Sequence, residues 1–363
     1  MKKYLFEQID NSSLIVFRWL LGLLLMLEGW GAIALGWVKR VHVDSQFTFN
    51  FIGFDFLQAL HGEFMYVFFA ILGLVGFAIM IGLKYRWSMA IYFMMWMVAY
   101  LIQKESYNNH YFLMVLVCGL MLFFPANTWA SWDAKKNPEI RKNYMPRWVW
   151  LVVVLQLLIV YTYASVAKLY PDWLDSTVAT NMMANRKNYP IIGDFLQTNF
   201  VIHAVTWYGI LFDLLIIPML LWRKTRVWAL GLGIFFHLFN SAFFQIGVFP
   251  YMSLAFFVFF FSKERINTLF FRGKKPLYTE KNNIIVPKYA PVFIGLFAVY
   301  FIIQIGMPLR HWFFQDHVLW TEEGHRMSWR MMLRSRAGHA QFYVINKETQ
   351  KRTLINLDDY VTP

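Results

Sequence analysis

Long stretches without a single charged side chain constrain this chain more than any other feature of its sequence. About 20 apolar residues suffice for a helix that crosses a bilayer. The chain is 58% hydrophobic and 15% charged, which is more apolar than a soluble domain, where the apolar share is about half. The sequence therefore predicts an all-α polytopic membrane protein. The charge-free runs cover residues 64–83, 87–103, 106–132, 148–167, 227–262 and 289–309.

The apolar pattern fits about nine transmembrane helices. The run 227–262 holds 36 residues and as one helix would be about 54 Å long, against a hydrocarbon core of about 30 Å. We expect it to turn back at residues 244–250, where Gly247 and Pro250 lie. The predicted transmembrane domain covers residues 1–309. Its spans are 13–38, 64–83, 87–103, 109–124, 148–168, 198–222, two within 227–262, and 291–309.

The positive charges predict an orientation for these spans. With the N-terminus inside, the inner segments hold 19 Lys and Arg residues and the outer loops hold 6. Cytoplasmic loops are enriched in these residues. We therefore expect a multi-pass protein with a cytoplasmic N-terminus and an extracytoplasmic C-terminus, with a bacterial inner membrane as the favoured location. The first apolar run lacks a small-residue cleavage motif and is interpreted as a retained helix.

The C-terminal segment, residues 310–363, is polar and is predicted to lie outside the membrane. Residues 341–357 alternate apolar and polar side chains on either side of a charged turn. This pattern predicts a β-hairpin.

Composition also bears on the kind of ligand. The net charge of +13 is explained by basic membrane-flanking loops, so we expect no nucleic acid partner. The single cysteine, Cys118, lies in an apolar run and is interpreted as a buried hydrophobe. The sequence shows no Cys/His metal spacing and no phosphate-binding glycine loop. We therefore expect no metal cofactor.

Ionisable residues inside membrane spans are rare and are usually functional. For Arg18, Glu28 and Asp213, contacts with neighbouring helices are the favoured interpretation. His237 and Asn240 lie three residues apart on one helical face, and either form an interhelical hydrogen-bond pair or line a cavity.

Lys168 ends a charge-free run and has two interpretations. It can be an anchor that reaches the membrane surface. Alternatively, apolar surroundings can disfavour its charged form and make it a general base toward a weak acid such as a hydroquinone. His110, in turn, follows two good N-cap residues, Asn108 and Asn109, and lies near the start of its helix.

Five separated motifs, in register over residues 13 to 359, resemble the vitamin K-dependent γ-carboxylase family. Members of that family share the so-called horizontally transferred transmembrane (HTTM) domain. In chain order the motifs are ESYNNHYFL, VAKLYPDWL, GILFD, FFHLFNSAFFQIGVFPYMSLA and WTEEGHRMSWRMMLRSR.

The resemblance implies a reaction and its cofactors. A reduced vitamin K or menaquinone-type hydroquinone reacts with O₂, and the strong base so formed removes a γ-proton from a protein glutamate, which CO₂ then carboxylates. The implied partners are the lipid bilayer, an isoprenoid quinone and a Glu-containing peptide or protein. No metal is implied.

The resemblance also implies roles for individual residues. Lys168 matches the family's catalytic lysine, and His110 matches the histidine beside it. The expected quinone pocket includes Asn109, Trp173, His237 and Asn240. The expected glutamate-binding residues are His325, Trp329, Arg334 and Arg336.

Two positions depart from the animal enzymes, which have tyrosine in place of His325 and an acidic residue in place of Arg330. These changes indicate either another substrate or quinol oxidation or epoxidation without carboxylation. A non-enzymatic role as a membrane maturation or immunity factor is a separate alternative.

Overall fold

The computed structural model describes residues 1–244, 246–271, 274, 284–331, 341–356 and 359–360 of the chain. These residues are mostly α-helical, with two small antiparallel sheets. The helices are α1 Lys2–Phe6, α2 Ser12–Ala34, α3 Phe64–Ile81, α4 Tyr85–Ile102, α5 Asn109–Met121, α6 Trp132–Lys136, α7 Arg147–Val166, α8 Pro171–Leu174, α9 Thr177–Ala184, α10 Gly193–Leu196, α11 Asn199–Leu221, α12 Arg226–Phe244, α13 Phe249–Phe256, α14 Lys263–Phe270, α15 Ala290–Leu309 and α16 Val318–Thr321. The strands are β1 Gln8–Asp10, β2 Tyr144–Pro146, β3 Phe342–Ile345 and β4 Arg352–Ile355.

Within the described residues, six helices are long and apolar enough to cross a membrane: α2, α3, α7, α11, α12 and α15 with the turn that follows it. They indicate a membrane protein, but the predicted count of nine spans is not confirmed. The other predicted spans correspond to α4, α5 and α13. α4 has the length of α3 but contains Arg86 and three tyrosines, and the other two are shorter apolar helices.

The long charge-free run 227–262 is divided where the sequence predicted. α12 ends at Phe244 and α13 begins at Phe249, and the two helices pack against each other. Pro250 lies in the first turn of α13, where its missing N–H has no helical partner to lose. Gly247 has a φ of +60°, a conformation that glycine adopts without the steric cost of a Cβ.

Glycines let α2 and α3 approach each other closely. A Cβ built on Gly29 would lie 2.6 Å from the backbone nitrogen of Gly73, and one built on Gly76 would lie 2.5 Å from the backbone nitrogen of Met26. Small residues have this role at membrane helix interfaces, because there dispersion contacts and not water exclusion hold helices together.

Gly76→Leu is expected to separate α2 from α3 and to destabilise the protein by at least about 1–3 kcal/mol, the usual cost of overpacking. The matched control is Gly295→Leu in α15, where a Cβ meets no atom within 4 Å. The measurement is the midpoint of thermal unfolding in detergent. Equal midpoints for the two variants would contradict the close packing.

Arg18 makes structural contacts within the protein, as the sequence predicted. Its side chain is fully buried, and it donates hydrogen bonds to the backbone oxygens of Ala126 (2.7 Å) and Ala130 (2.6 Å) and, at 3.3 Å, Trp129. These carbonyls belong to the segment after α5, so Arg18 ties α2 to that segment. The guanidinium fork suits this task because it presents several donors in a fixed plane.

One sheet joins the N-terminal segment to a segment before α7, and the other lies near the C-terminus. β1 pairs with β2, with Ile9 opposite Met145, and so fixes the N-terminal segment to the start of α7. β3 and β4 form the predicted C-terminal hairpin, in which Tyr343 is opposite Leu354. The guanidinium carbon of Arg352 lies 3.6 Å from the centre of the Tyr343 ring.

Candidate functional site

A largely apolar cavity lies among α5, α7, α9, α11, α12 and α13. Much of its wall is aromatic or aliphatic, and a small group of polar side chains lies within it. This combination is typical of small-molecule sites, in which apolar walls provide contact and a few polar groups fix orientation. The polar or ionisable residues of the lining are His110, Tyr161, Lys168, Trp173, Tyr208, Asp213 and Asn240.

Lys168 reaches this cavity from a tight turn after α7. Its backbone N–H donates to the oxygen of Ser165, and its carbonyl accepts from Tyr170. Pro171 then begins α8 and prevents the preceding helix from continuing. The side chain is only 8% exposed, so Lys168 is not the membrane-surface anchor of the first interpretation.

The ammonium nitrogen of Lys168 lies 2.5 Å from Oδ2 of Asp213 and 3.1 Å from the carbonyl oxygen of Ala164. Both side chains are at least 90% buried. The expectation of purely apolar surroundings for Lys168 is therefore wrong, because a carboxylate on α11 accompanies it. An ammonium has three donors, so one remains after these two contacts.

Trp173 holds the turn of Lys168 against α11. Its indole N–H donates to the oxygen of Thr206 at 3.2 Å, and its ring is 97% buried. The Lys168 nitrogen lies 5.5 Å from the ring centre, within the range of a cation–π contact. Trp173 therefore orients the lysine as well as lining the cavity.

His110 faces the same cavity from the start of α5. The side chain of Asn108 caps that helix by accepting from the N–H of Tyr111 at 2.8 Å, so the cap is Asn108 and not His110. The His110 ring stacks on Phe249 of α13, with ring centres 4.0 Å apart. The cap and the stacking together fix the imidazole at the cavity wall.

His237 and Asn240 on α12 have different surroundings. His237 is fully buried behind the lining, and its Nε2 lies 3.0 Å from the hydroxyl of Tyr161 on α7. It therefore makes an interhelical hydrogen bond, although its partner is not Asn240. Asn240 lines the cavity directly.

Asn109 points away from the cavity. Its amide donates to the backbone oxygen of Arg330 at 2.8 Å and accepts from the Tyr107 hydroxyl at 2.9 Å. Burial raises the pKa of Tyr107 to about 12, so this phenol stays a donor at neutral pH. Asn109 thus joins the start of α5 to residues 330–331, and Met331 lines the cavity.

The predicted glutamate-binding residues are only partly within the described chain. Trp329 is 99% buried and packs on Phe112, with ring centres 5.2 Å apart, so it supports the wall without lining the cavity. His325 lies in the same turn segment and does not line the cavity either. Arg334 and Arg336 lie outside the described residues.

Two known protein families match the chain. A family described as "HTTM domain" matches residues 6–264, and one described as "Vitamin K-dependent gamma-carboxylase, lumenal domain" matches residues 289–363. The chain belongs to the vitamin K-dependent γ-carboxylase family. No solved structure matches the chain.

Sequence reasoning missed that Asp213 pairs with Lys168. An ionisable residue in an apolar span was the available signal, and GILFD was one of the motifs of the resemblance. The partner could not be read from the sequence, because Lys168 is 45 residues away and on another element. Tyr161 was also missed, since a tyrosine in an apolar run carries no such signal.

Proposed function

We propose that this protein is a quinol-dependent membrane carboxylase. Its cavity would hold a reduced isoprenoid quinone of the vitamin K or menaquinone type, with O₂ and CO₂ as co-substrates and a protein glutamate as acceptor. The cavity would open toward the extracytoplasmic side, in a bacterial inner membrane. Membership of the carboxylase family and the lumenal-domain match support this proposal.

The observation that carries it is the buried Lys168–Asp213 pair at the wall of a largely apolar cavity. Isolating two charges from water is costly, and replacing such a pair by hydrophobic residues is often neutral or stabilising. A pair kept at a cavity wall is therefore better explained by chemistry than by stability. Perturbed ionisable groups in clefts are frequent at active sites.

The lining fits a quinol. A flat ring with a prenyl tail needs apolar walls, which Phe236, Phe239 and Met182 provide, and it needs polar groups at one end for its hydroxyls. Lys168, His110 and Asn240 supply those groups. The quinol, when bound, supplies the reducing electrons and the weakly acidic hydroxyl on which the family's chemistry depends.

The pair can accept a proton without a neutral lysine at rest. With Lys168 protonated and Asp213 ionised, the pair has no net charge, and the third N–H of Lys168 can donate to an oxygen in the cavity. Asp213 would receive the proton of a hydroxyl group in the cavity: the O–H bond of that group would break and one would form at the carboxylate. Lys168 would stay an ammonium and would stabilise negative charge on the oxygen it faces.

Other residues hold the polar side chains of the cavity in place and exclude water from it. The hydrogen bond between Tyr161 and His237 fixes the phenol at the wall, and the stacking on Phe249 fixes the ring of His110. Met331 and the buried Trp329 behind it close one side. A dry cavity protects a strong base from protonation by water.

The test is fixation of ¹⁴CO₂ into a synthetic Glu-containing peptide by the purified protein in lipid nanodiscs, with reduced vitamin K and O₂. Label in the peptide that depends on the quinol is the expected result. The control is the same peptide with Gln in place of Glu. If the quinol is oxidised but no label enters the peptide, the protein oxidises quinol without carboxylating glutamate. If no activity depends on the quinol, a non-enzymatic role is favoured.

A further inference from the structure

A second cavity lies on the other side of the Lys168 turn. We call it the Arg330 cleft; its lining includes Ala167, Tyr170, His311, Asp316, His317 and Arg330. Ala167 and Leu169 line the cleft while Lys168 between them lines the first cavity. Arg330 lines the cleft while Met331 lines the first cavity. The two cavities therefore share a wall that is about one residue thick.

Arg330 is held in the cleft by a neutral partner. Its guanidinium lies 2.9 Å from Nε2 of His311, and Nδ1 of His311 lies 2.8 Å from the oxygen of Pro308. Arginine can only donate, so Nε2 accepts, and the imidazole is neutral with its proton on Nδ1. This arrangement orients the guanidinium but contributes no negative charge to it.

The described lining of the cleft includes one carboxylate, that of Asp316, but it forms no ion pair with Arg330. Among the described residues, none of the ion pairs includes Arg330. Partial burial lowers the pKa of Arg330, and nearby Tyr170 acts in the opposite direction. A half-buried guanidinium is costly to desolvate unless an anion meets it. The cleft is therefore a place where a carboxylate ligand would be stabilised.

The wall that carries Arg330 is held in place by the Asn-Asn-His stretch at residues 108–110. Asn109 donates to the backbone oxygen of Arg330, while the adjacent His110 lies in the first cavity. A ligand that moves Arg330 would therefore act on the residues of the quinol site. Exposed aromatic side chains, Trp312 and Phe314, form part of the cleft and offer contact to a chain longer than a small anion.

We propose that the Arg330 cleft binds an acidic peptide through a carboxylate that neighbours the reacting glutamate. This rests on the proposed function, because the peptide must bring its reacting side chain to the other side of the wall. The guanidinium fork of Arg330 receives the carboxylate in bidentate geometry, and His311 keeps the fork oriented. Lysine at this position would keep the charge and lose the fork.

The experiment measures binding, without turnover, of a fluorescent peptide that carries two glutamates to the protein in nanodiscs of uncharged lipid. We expect wild type to bind it about tenfold or more tightly than the peptides in which one glutamate is Gln, as a charge-assisted hydrogen bond implies. Arg330→Gln should remove that preference, and Arg330→Lys should retain part of it. Lys39→Gln, at an exposed cation elsewhere on the chain, should change nothing.

Size-exclusion profiles and unfolding midpoints establish that the variants are folded. An unchanged preference for the two-glutamate peptide in folded Arg330→Gln overturns the proposal. Equal competition by free glutamate, bicarbonate or anionic vesicles at matched charge overturns it as well, since the site would then be one for small anions or lipid. A retained preference with no ¹⁴CO₂ fixation would remove the proposed function and leave the cleft assignment standing.

Discussion

Lys168→Ala is expected to abolish oxidation of reduced vitamin K by the purified protein, with a fall in rate of about 10³-fold or more. In the proposed mechanism Lys168 holds the Asp213 carboxylate that receives the proton, and its ammonium faces the anion that forms. A positioned base contributes roughly 10²–10⁴-fold, and a charge-stabilising donor about 10²–10³-fold. The measurement is quinol consumption and epoxide formation in nanodiscs. Full activity in the variant would exclude the catalytic role.

A folding defect must be separated from a catalytic one. Lys168→Ala leaves the Asp213 carboxylate buried without its partner, and removal of one member of a buried pair costs about 3–5 kcal/mol. The informative comparison is Lys168→Met/Asp213→Leu, in which both charges are replaced by apolar groups. It should unfold at a temperature close to that of wild type and still be inactive, which would assign the loss of activity to chemistry.

Asp213→Asn is expected to lower the rate of quinol oxidation by about 10²-fold or more, within the range of a general base. The amide still accepts a hydrogen bond from Lys168 but cannot take a proton. The same change should lower the unfolding midpoint, because the ammonium of Lys168 is left buried without a counter-charge. Rates and midpoints are measured on the same nanodisc samples.

Asp213→Glu is the matched control for that experiment. It keeps the carboxylate and displaces it by one methylene, so partial activity and a higher midpoint than for Asp213→Asn are expected. If Asp213→Asn oxidised quinol as fast as wild type, the pair would not be the base, and the lysine alone would have to act.

Much of the fold could be predicted from the sequence, because apolar runs of a given length have few structural solutions in a bilayer. The division of residues 227–262 followed from length together with Gly247 and Pro250, and the C-terminal hairpin followed from a period of two. The number of spans did not follow. Segments such as α4 mix tyrosine and arginine with apolar residues, and their character depends on the helices around them.

The candidate site was predictable in part. The family motifs pointed to Lys168, His110, Trp173 and Asn240, and the structure places all four at one cavity. Whether they act on a quinol stays a prediction. Asn109 had been placed in the same pocket, yet its amide turns toward Arg330 because Tyr107 and the wall segment offer it hydrogen bonds.

By itself the sequence determined that this is a membrane-spanning helical chain of the vitamin K-dependent γ-carboxylase family, because hydrophobic length and ordered motifs are local properties of a chain. Only the tertiary structure decided which groups meet: Lys168 with Asp213, His237 with Tyr161, and Arg330 with His311. Each of these contacts joins elements that are distant in sequence, and a buried polar group takes the partner that packing brings within hydrogen-bond distance.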